Sequence, residues 1–392
     1  MTARRVQGGC CGAAAGILAV DCREFVPGRV TGIGRFLRDV LAEIAGSRPR
    51  LRTVAVAGPG NPIPVAAPHL EVVRLPSRPT LYWDQVLLPR ALRAARATAF
   101  FSPYYKAPMA APCPTVVTIH DVIPLRFPEY TRGGYGRLYA AALRSWASWL
   151  ARRAAAVVTD SEFSKGELLA ELGLAPERVH VIYLGVRQEF RPAASREAIA
   201  AATARYGIEG PYLLAVGNFL PHKNLPRLVE AYGSLPRALR ERTRLVLAGT
   251  PGGHGPARPV PPAALAWPGV VLPGFIAAED LPLVYAGAVA VACPSLVEGF
   301  GYTPLEAMAC GTPVVCARAG ALPEVAGDAA LYVDPSDVAS IAAGLRRILE
   351  EAPLRRELAD RGLARARRFD PSKTVGRLVD LLEGVAAGRG AA

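Results

Sequence analysis

The sequence predicts an α/β fold with parallel sheets, divided into two domains. Three observations carry this. Short apolar, β-branched segments alternate with segments of helical periodicity almost throughout. The alternation breaks over a charged, alanine-rich stretch at 186–210 and then restarts. The chain has 392 residues, 51% of them hydrophobic, with a mean hydropathy of +0.21, which is ample for two cores of ordinary size. The expected division is a loose tail at 1–15, a first domain at 16–185, a linker at 186–210, a second domain at 211–370 and a last helix at 371–387.

The first half opens with a strand at 16–21. A loop follows, through Gly28-Arg29-Val30-Thr31-Gly32-Ile33-Gly34-Arg35, and enters a helix with Phe36, Leu37, Val40, Leu41 and Ile44 at helical spacing. A glycine loop between strand and helix allows a ligand close to the backbone, although it is not the full dinucleotide fingerprint and a tight turn needs the same residues. Further strands are expected at 53–57, 71–75, 98–101 and 115–119. The last runs into His120-Asp121, beyond the carboxyl end of a strand, where ligands collect in open α/β sheets. Ser102-Pro103-Tyr104-Tyr105-Lys106 follows another strand end and offers polar, aromatic and basic groups for an acceptor pocket, with Asp121 beside it. Trp146 and Trp149 fall in a long helix at 134–153 and read as packing. Residues 157–160 and then Ser161-Glu162-Phe163-Ser164-Lys165 read as strand, N-cap and helix, and 179–184 as the closing strand.

The second half restarts with a strand at 212–216, then Gly217-Asn218-Phe219-Leu220-Pro221-His222-Lys223-Asn224 and a helix at 225–232. A lysine between a strand and a helix N-terminus is a small phosphate-binding arrangement. A strand at 245–248 leads to a glycine loop at 249–255, and one at 270–272 leads to Pro273-Gly274-Phe275-Ile276. A helix is expected at 280–286. A strand at 288–293 runs into Pro294-Ser295-Leu296-Val297-Glu298-Gly299-Phe300-Gly301-Tyr302-Thr303-Pro304-Leu305-Glu306. Here Thr303 stands as an N-cap, Pro304 as the first helical residue and Glu306 as the partner in a capping box. Glu298 then lies in a glycine-containing loop and Glu306 in a first helical turn, with the amides of Gly299, Phe300 and Gly301 available to an anion. Strands at 313–317 and 329–333 close this half, and helices start near 336, 353 and 371.

Composition excludes several classes. No apolar run reaches the roughly 18–20 residues that a membrane span needs. Arg4 and Arg5 precede an apolar stretch at 13–20, but that stretch is short, broken by glycine and followed by Asp21-Cys22-Arg23, so it reads as a tail and first strand rather than a secretory signal. Seven cysteines, with no Cys-x-x-Cys pair, resemble neither a disulfide framework nor a zinc site, and fit a reducing cytoplasm. The net charge is +13 and uneven: residues 1–185 hold 23 Lys and Arg against 13 Asp and Glu, a balance of +10. Such a half suits an anionic partner or membrane surface, although solubility charge accounts for it equally well. No nucleic-acid module is recognisable.

The pair Glu298 and Glu306, with Gly-Phe-Gly after the first and Glu-Ala-Met-Ala-Cys-Gly-Thr-Pro-Val-Val from the second, resembles the signature of retaining GT-B glycosyltransferases, most closely glycosyltransferase family 4, and the segments His120-Asp121-Val122-Ile123-Pro124 and Pro221-His222-Lys223-Asn224 resemble those of its mannosyl- and rhamnosyltransferases. The resemblance covers roughly 20–382. It implies two Rossmann-like, doubly wound domains facing a central cleft, with a C-terminal helix crossing back to the first domain. It implies that Glu298 and His120 contact the donor sugar, that Glu306 holds the ribose, and that Lys223 holds the diphosphate. Arg35 beside Gly34 is placed to reach phosphate. Gly217, Asn218 and His222 share the Lys223 loop, and Gly274 and Phe275 lie beside the nucleotide base. Many relatives carry an arginine where His222 or Asn218 stands.

The implied activity is transfer of a hexose from a nucleotide diphosphate sugar, with retention, to a saccharide, lipid-linked or small-molecule hydroxyl. With no Asp-x-Asp motif for a divalent cation, the basic groups would take the metal's place; no metal and no cofactor beyond the co-substrate is expected. The expected location is the cytoplasm, at the inner face of the membrane. Two alternatives stand beside this: glycoside cleavage by the glutamate pair, and a non-catalytic sugar-nucleotide scaffold on the same fold.

Overall fold

The structure is a computed structural model that describes residues 16–27, 31–48, 51–126, 136–193, 195–250 and 266–388. The expected tail at 1–15, Gly28 and the glycine loop beyond Thr250 lie outside the described residues. The described strands form two parallel sheets. The first contains β1 (Ile17–Asp21), β2 (Arg52–Ala57), β3 (Leu70–Arg74), β4 (Ala99–Ser102), β5 (Thr115–Thr118), β6 (Ala156–Thr159) and β7 (Val179–Val181), in the order β3-β2-β1-β4-β5-β6-β7. The second contains β8 (Tyr212–Val216), β9 (Arg244–Ala248), β10 (Val270–Gly274), β11 (Ala290–Cys293), β12 (Val314–Ala317) and β13 (Ala330–Val333), in the order β10-β9-β8-β11-β12-β13. Each order reverses direction beside its first strand, which is the doubly wound pattern.

Burial explains the composition of the strands. β4 (AFFS) and β11 (AVAC) are buried at every position, as strands covered on both faces must be. β3, at a sheet edge, keeps only partial burial at Leu70 and Val73. The register pairs Ile17 with Arg52 and Tyr212 with Arg244, and shifts once between Val271 and Gly274 where β10 meets β9. The helix Gly32–Ser47 buries the predicted stripe of Phe36, Leu37, Val40, Leu41 and Ile44, and Phe36 meets Phe101 edge-on at 6.4 Å. In the second sheet Leu213, Leu245, Leu247 and Val315 pack with Leu228, Tyr232, Ile341 and Leu345 from its helices.

The chain divides into two compact units. One comprises 1–118, 153–157 and 376–392; the other comprises 119–152 and 158–375. The last helix, Pro371–Ala386, therefore returns to the first unit from Gly376 onward, where Asp380 pairs with Arg48 at 2.5 Å. The stretch 186–210 holds a helix of its own, Arg196–Ala204, whose N-cap Ser195 accepts from the Ala198 N–H at 3.1 Å. Just beyond it Arg205 and Tyr206 both bind the buried Asp280 carboxylate, at 2.6 and 2.7 Å.

Candidate active site

In the second unit the sheet order reverses between β8 and β11, so the loops that leave these two strands diverge and open a crevice at their carboxyl ends. Glycines make the backbone there. Gly217 (φ 149°), Gly249 (φ 143°) and Gly274 (φ 77°) end or follow β8, β9 and β10 in positive-φ conformations that side chains rarely adopt. A Cβ on Gly249 would lie 1.7 Å from the Gly217 carbonyl oxygen, so no other residue fits. After Gly217 the chain makes one 3₁₀ turn, Pro221–Lys223, then turns left-handed at Asn224 (φ 58°) and enters the helix Leu225–Gly233. Asparagine tolerates that conformation. Its buried side-chain amide donates to the carbonyls of Pro294, at 3.0 Å, and Pro335, at 2.7 Å, which ties the β8 loop to the ends of β11 and β13.

This tie brings two of the predicted residues together. Lys223 Nζ lies 2.7 Å from Glu298 Oε1, and the Ser295 hydroxyl donates to the same oxygen at 2.6 Å. Both side chains of the pair are mostly buried, at 19% and 16% exposure. Burial alone raises the Glu298 carboxyl; the Lys223 charge, the charge that His222 takes up once protonated in acid, and the two hydrogen bonds outweigh it and hold the group below the usual carboxylate range. The Glu298 backbone is also fixed: its carbonyl accepts from the Ala321 N–H at 3.0 Å, and a Cβ on Gly320 would meet its nitrogen at 2.6 Å. His222 is buried next to the pair, and burial, with the Lys223 charge, pushes its imidazole down to about 4. It is neutral at pH 7 and adds no positive charge to the crevice. Asn218 Oδ1 is buried without a hydrogen-bond partner among the described residues, an acceptor left open in the same loop.

Glu306 departs from the sequence expectation. The helix is Tyr302–Ala309, and its N-cap is Gly301 (φ 116°) with no side-chain cap. The Thr303 hydroxyl instead reaches the Val216 carbonyl at 3.4 Å. Glu306 is thus mid-helix and buried, and accepts from the Tyr285 hydroxyl at 3.0 Å. The capping box is not formed, because a glycine in a left-handed conformation starts the helix one residue before Thr303 and tertiary partners claim both of its members. Burial and the Glu306 charge push the Tyr285 phenol well up, so it stays a donor.

The Gly299–Gly301 loop is anchored at its first residue. The hydroxyls of Ser161 and Ser164 both donate to the Gly299 carbonyl, at 2.6 and 2.8 Å. Ser161 is also the predicted N-cap, accepting from the Ser164 N–H. The same helix N-terminus receives the Glu324 carboxylate, which accepts from the N–H groups of Glu162 and Phe163 at 2.7 and 3.0 Å and from the Tyr183 hydroxyl at 2.8 Å. His120 Nδ1 is 2.7 Å from Asp160 Oδ2, which orients the imidazole. A Cβ on Gly299 would lie 2.8 Å from Asp121 Cβ and 3.0 Å from the His120 carbonyl, so His120 and Asp121 border the glutamate loop. The Asp121 carboxyl is raised, by burial first and by Asp160 and Glu298 next, and is capped by the Ile123 N–H. Phe300 is committed to packing: its ring meets those of Tyr183, Tyr302 and Phe369. Phe275 is 65% exposed, beside Gly274, whose carbonyl accepts from the Gly249 N–H.

The other predicted residues belong to the first unit. Gly34 and Arg35 lie in the first turn of Gly32–Ser47, where the Gly34 N–H is taken by the Thr31 cap at 2.9 Å. Tyr104 is buried and Tyr105 half-buried in the loop after β4. Tyr104 donates to Asp21 and stands beside a group that sequence reading missed. Arg23, just past β1, pairs with Asp21 at 2.6 Å and Asp84 at 2.7 Å, and its guanidinium lies 5.0 Å from the Trp83 ring centre. Also missed were Ser295, Asn224, Tyr285, Asp160 and Glu324, whose partners are far away in sequence. Among the described residues no three of His, Cys, Asp and Glu gather in a group able to hold a metal ion.

The sequence and the fold are similar to those of known proteins. Residues 202–365 match the model of glycosyl transferases group 1, and residues 30–190 match that of glycosyltransferase family 4. The chain belongs to the GT-B glycosyltransferases of group 1. It is 32% identical over 255 residues to O-antigen chain mannosyltransferase B of Escherichia coli, covering 65% of this chain and 66% of that protein. It is 30% identical over 269 residues to the serotype-specific mannosyltransferase WbdA of Escherichia coli, 67% of this chain but 32% of that longer one. It is 36% identical over 248 residues to D-inositol 3-phosphate glycosyltransferase of Salinispora arenicola, 59% of this chain and 55% of that one. The chain thus spans from about a third to two thirds of these relatives. Sucrose-phosphate synthase from Thermosynechococcus elongatus shares the fold with a TM-score of 0.71 at 20% identity, over 93% of this chain and 98% of that chain. WaaG, a glycosyltransferase involved in lipopolysaccharide biosynthesis, does so with a TM-score of 0.71 at 18% identity, over 93% and 99%.

Proposed function

We propose that this protein transfers a hexosyl group, of mannose or rhamnose type, from a nucleotide diphosphate sugar to an acceptor hydroxyl with retention of anomeric configuration, in polysaccharide, glycolipid or glycosylated-metabolite assembly. The observation that carries the reading is the Lys223–Glu298 pair at the point where the second sheet reverses. It places a cation and an ionised carboxylate side by side where a ligand of an open α/β sheet collects. The mannosyltransferases among the relatives support the class of sugar.

In this mechanism the bond between the anomeric carbon and the diphosphate oxygen breaks, and the acceptor oxygen bonds to that carbon on the same face. The acceptor hydroxyl proton passes to a phosphate oxygen. Lys223, with the Gly299–Gly301 amides, meets the negative charge that builds on the departing diphosphate. No metal ion is required. Glu298 accepts from the sugar hydroxyls, His120 is held to the sugar by Asp160, and Glu306 accepts from the ribose. Phe275 stacks on the base, and Asp121 faces the acceptor. The protein works in the cytoplasm against the inner face of the membrane.

A panel of nucleotide diphosphate sugars, screened by thermal shift and then by turnover with acceptors, tests the reading. The donor should raise Tm, since ligand at 100 times its Kd adds about 2.7 kcal/mol. Nucleotide diphosphate should appear only when acceptor is present. Release without acceptor would point to hydrolysis, and tight binding without turnover to a scaffold.

A further inference from the structure

The loop that leaves β8 carries a polar atom with nothing to bind. Asn218 Oδ1 is shielded from solvent and has no hydrogen-bond partner among the described residues. On the loops that leave β8 and β11, it is the one described side-chain atom in that state. Buried acceptors in folded proteins are nearly always paired, so an exception marks a place where a donor is due. Such an oxygen has lost its water and gained no bond in exchange.

The backbone holds this side chain in place. The Gly217 N–H donates to the Ala248 carbonyl at 3.0 Å, and the Phe219 N–H to the Thr250 carbonyl at 3.2 Å. The Phe219 ring is buried in the core of the second sheet, with Leu213, Leu228 and Leu247. Asn218 is therefore pinned on both sides. The donors that the crevice possesses go elsewhere. Lys223 Nζ and the Ser295 hydroxyl both bind Glu298 Oε1, at 2.7 and 2.6 Å. The Asn224 amide binds the carbonyls of Pro294 and Pro335.

Chemistry narrows what fits. An amide oxygen accepts and cannot donate, so its partner carries an O–H or N–H. A diphosphate at neutral pH offers only acceptors, and belongs with Lys223. The donating groups of a nucleotide diphosphate sugar are its hydroxyls and the N–H groups of its base. Under the proposed function the base lies with Phe275 after β10, two strands away from β8 in the sheet order. The same order sets β8 beside β11, whose loop carries Glu298. That leaves the hydroxyls.

We infer that Asn218 is a specificity-determining residue, whose side-chain oxygen accepts from a donor hydroxyl on the hexosyl group or the ribose. The inference rests on the proposed transfer reaction and adds a contact to it. A Cβ at Gly217 would stand 3.5 Å from Lys223 Cε and 3.9 Å from Nζ, so the lysine lies along this loop. When the diphosphate draws Lys223 from Glu298, the loop opens beside Asn218 and a hydroxyl reaches the oxygen. A substrate without that hydroxyl leaves the oxygen unpaired, which is how such a site rejects a deoxygenated analogue.

Asn218→Leu tests this, because it keeps the branched shape and removes the acceptor. Its ligand-free Tm should equal or exceed that of the wild type, since no bond to that oxygen is lost. Calorimetric titration then compares the two proteins. The probes are whichever of GDP-mannose and dTDP-rhamnose binds the wild type, its free nucleotide diphosphate, and the 2′,3′-dideoxy form of that diphosphate. A loss of about tenfold or more for the nucleotide sugar alone assigns the contact to a hexosyl hydroxyl. The same loss for sugar and diphosphate, with the dideoxy form bound equally by both proteins, assigns it to the ribose. Asn218→Asp, which keeps an acceptor and lacks the N–H, should retain whichever discrimination Asn218→Leu loses. Equal losses for all three probes would overturn the inference, because the partner would then be phosphate or base. So would affinities unchanged by Asn218→Leu, discrimination lost in Asn218→Asp as well, or a ligand-free Tm that falls in Asn218→Leu. Failure of both nucleotide sugars to bind the wild type would overturn the proposed reaction, and this contact with it.

Discussion

Lys223 and Glu298, separated by 75 positions in sequence, are joined by a 2.7 Å ion pair with mostly buried members. Under the proposed function donor entry would exchange partners, with diphosphate taking the lysine and sugar hydroxyls taking the glutamate. Lys223→Met should lower kcat by about two to three orders of magnitude. It should also destabilise the protein, on the order of 2 kcal/mol, because it strands a desolvated carboxylate. Adding Glu298→Gln should recover most of that stability and none of the rate. Denaturant unfolding of the single and double variants measures the coupling; additive losses would mean the pair is not one unit.

The two glutamates should separate in their effects. Glu298→Gln should depress kcat strongly with nucleotide diphosphate affinity nearly intact, since its contacts sharpen in the transition state. Glu306→Gln and Tyr285→Phe should weaken nucleotide diphosphate binding, and each should cost about 1–3 kcal/mol of stability through the buried hydrogen bond between them. Calorimetric titration beside steady-state kinetics checks this. A reversed pattern would exchange the assignments.

Ser161→Ala combined with Ser164→Ala removes both hydroxyls from the Gly299 carbonyl. Each lost bond is worth about 1 kcal/mol. The glycine loop should loosen, with kcat falling about tenfold or more and a smaller change in KM. An unchanged kcat at reduced Tm would make the serines purely structural.

Acid should destabilise the second unit before general unfolding. His222 is neutral when folded, with its imidazole near 4, against an ordinary value of 6.5. The unfolded chain takes up the proton first, so stability falls as pH drops from 6.5 to about 4, by on the order of 3 kcal/mol in all. Glu298, held below its ordinary value, acts in the same direction as pH falls through its folded value. His222→Gln should flatten Tm against pH across that window; slopes equal to wild type would reject the assignment.

Transfer should survive excess EDTA, because Lys223 and the loop amides are proposed to do what a metal would. Activity that disappears on chelation and returns with Mg²⁺ or Mn²⁺ would contradict this.

Most of the fold was legible because strands and helices are local. β8 falls at the expected 212–216, and most other strands begin or end within a residue or two of expectation. In the candidate site, motifs marked Lys223 and Glu298, which the fold brings together, and Glu306, which it buries against Tyr285. Thr303 shows how a local pattern misleads. Its spacing to Glu306 is that of a capping box, yet Gly301 starts the helix and Tyr285 takes the carboxylate. The helix Arg196–Ala204 was hidden because alanine and charge read equally well as a linker. Contacts such as Ser161 to Gly299, 138 positions apart, leave no periodicity to find.

Gly249 has a bearing on redesign. With the Gly217 carbonyl where its Cβ would be, position 249 accepts no side chain, and any library that varies it will return misfolded chains. The floor of the crevice is bare backbone there, so its shape is inherited from the sheet. Changing the choice of nucleotide or sugar falls to residues that stand on the rim. Phe275, 65% exposed, is the place to begin, since it can be varied without moving the strands beneath it.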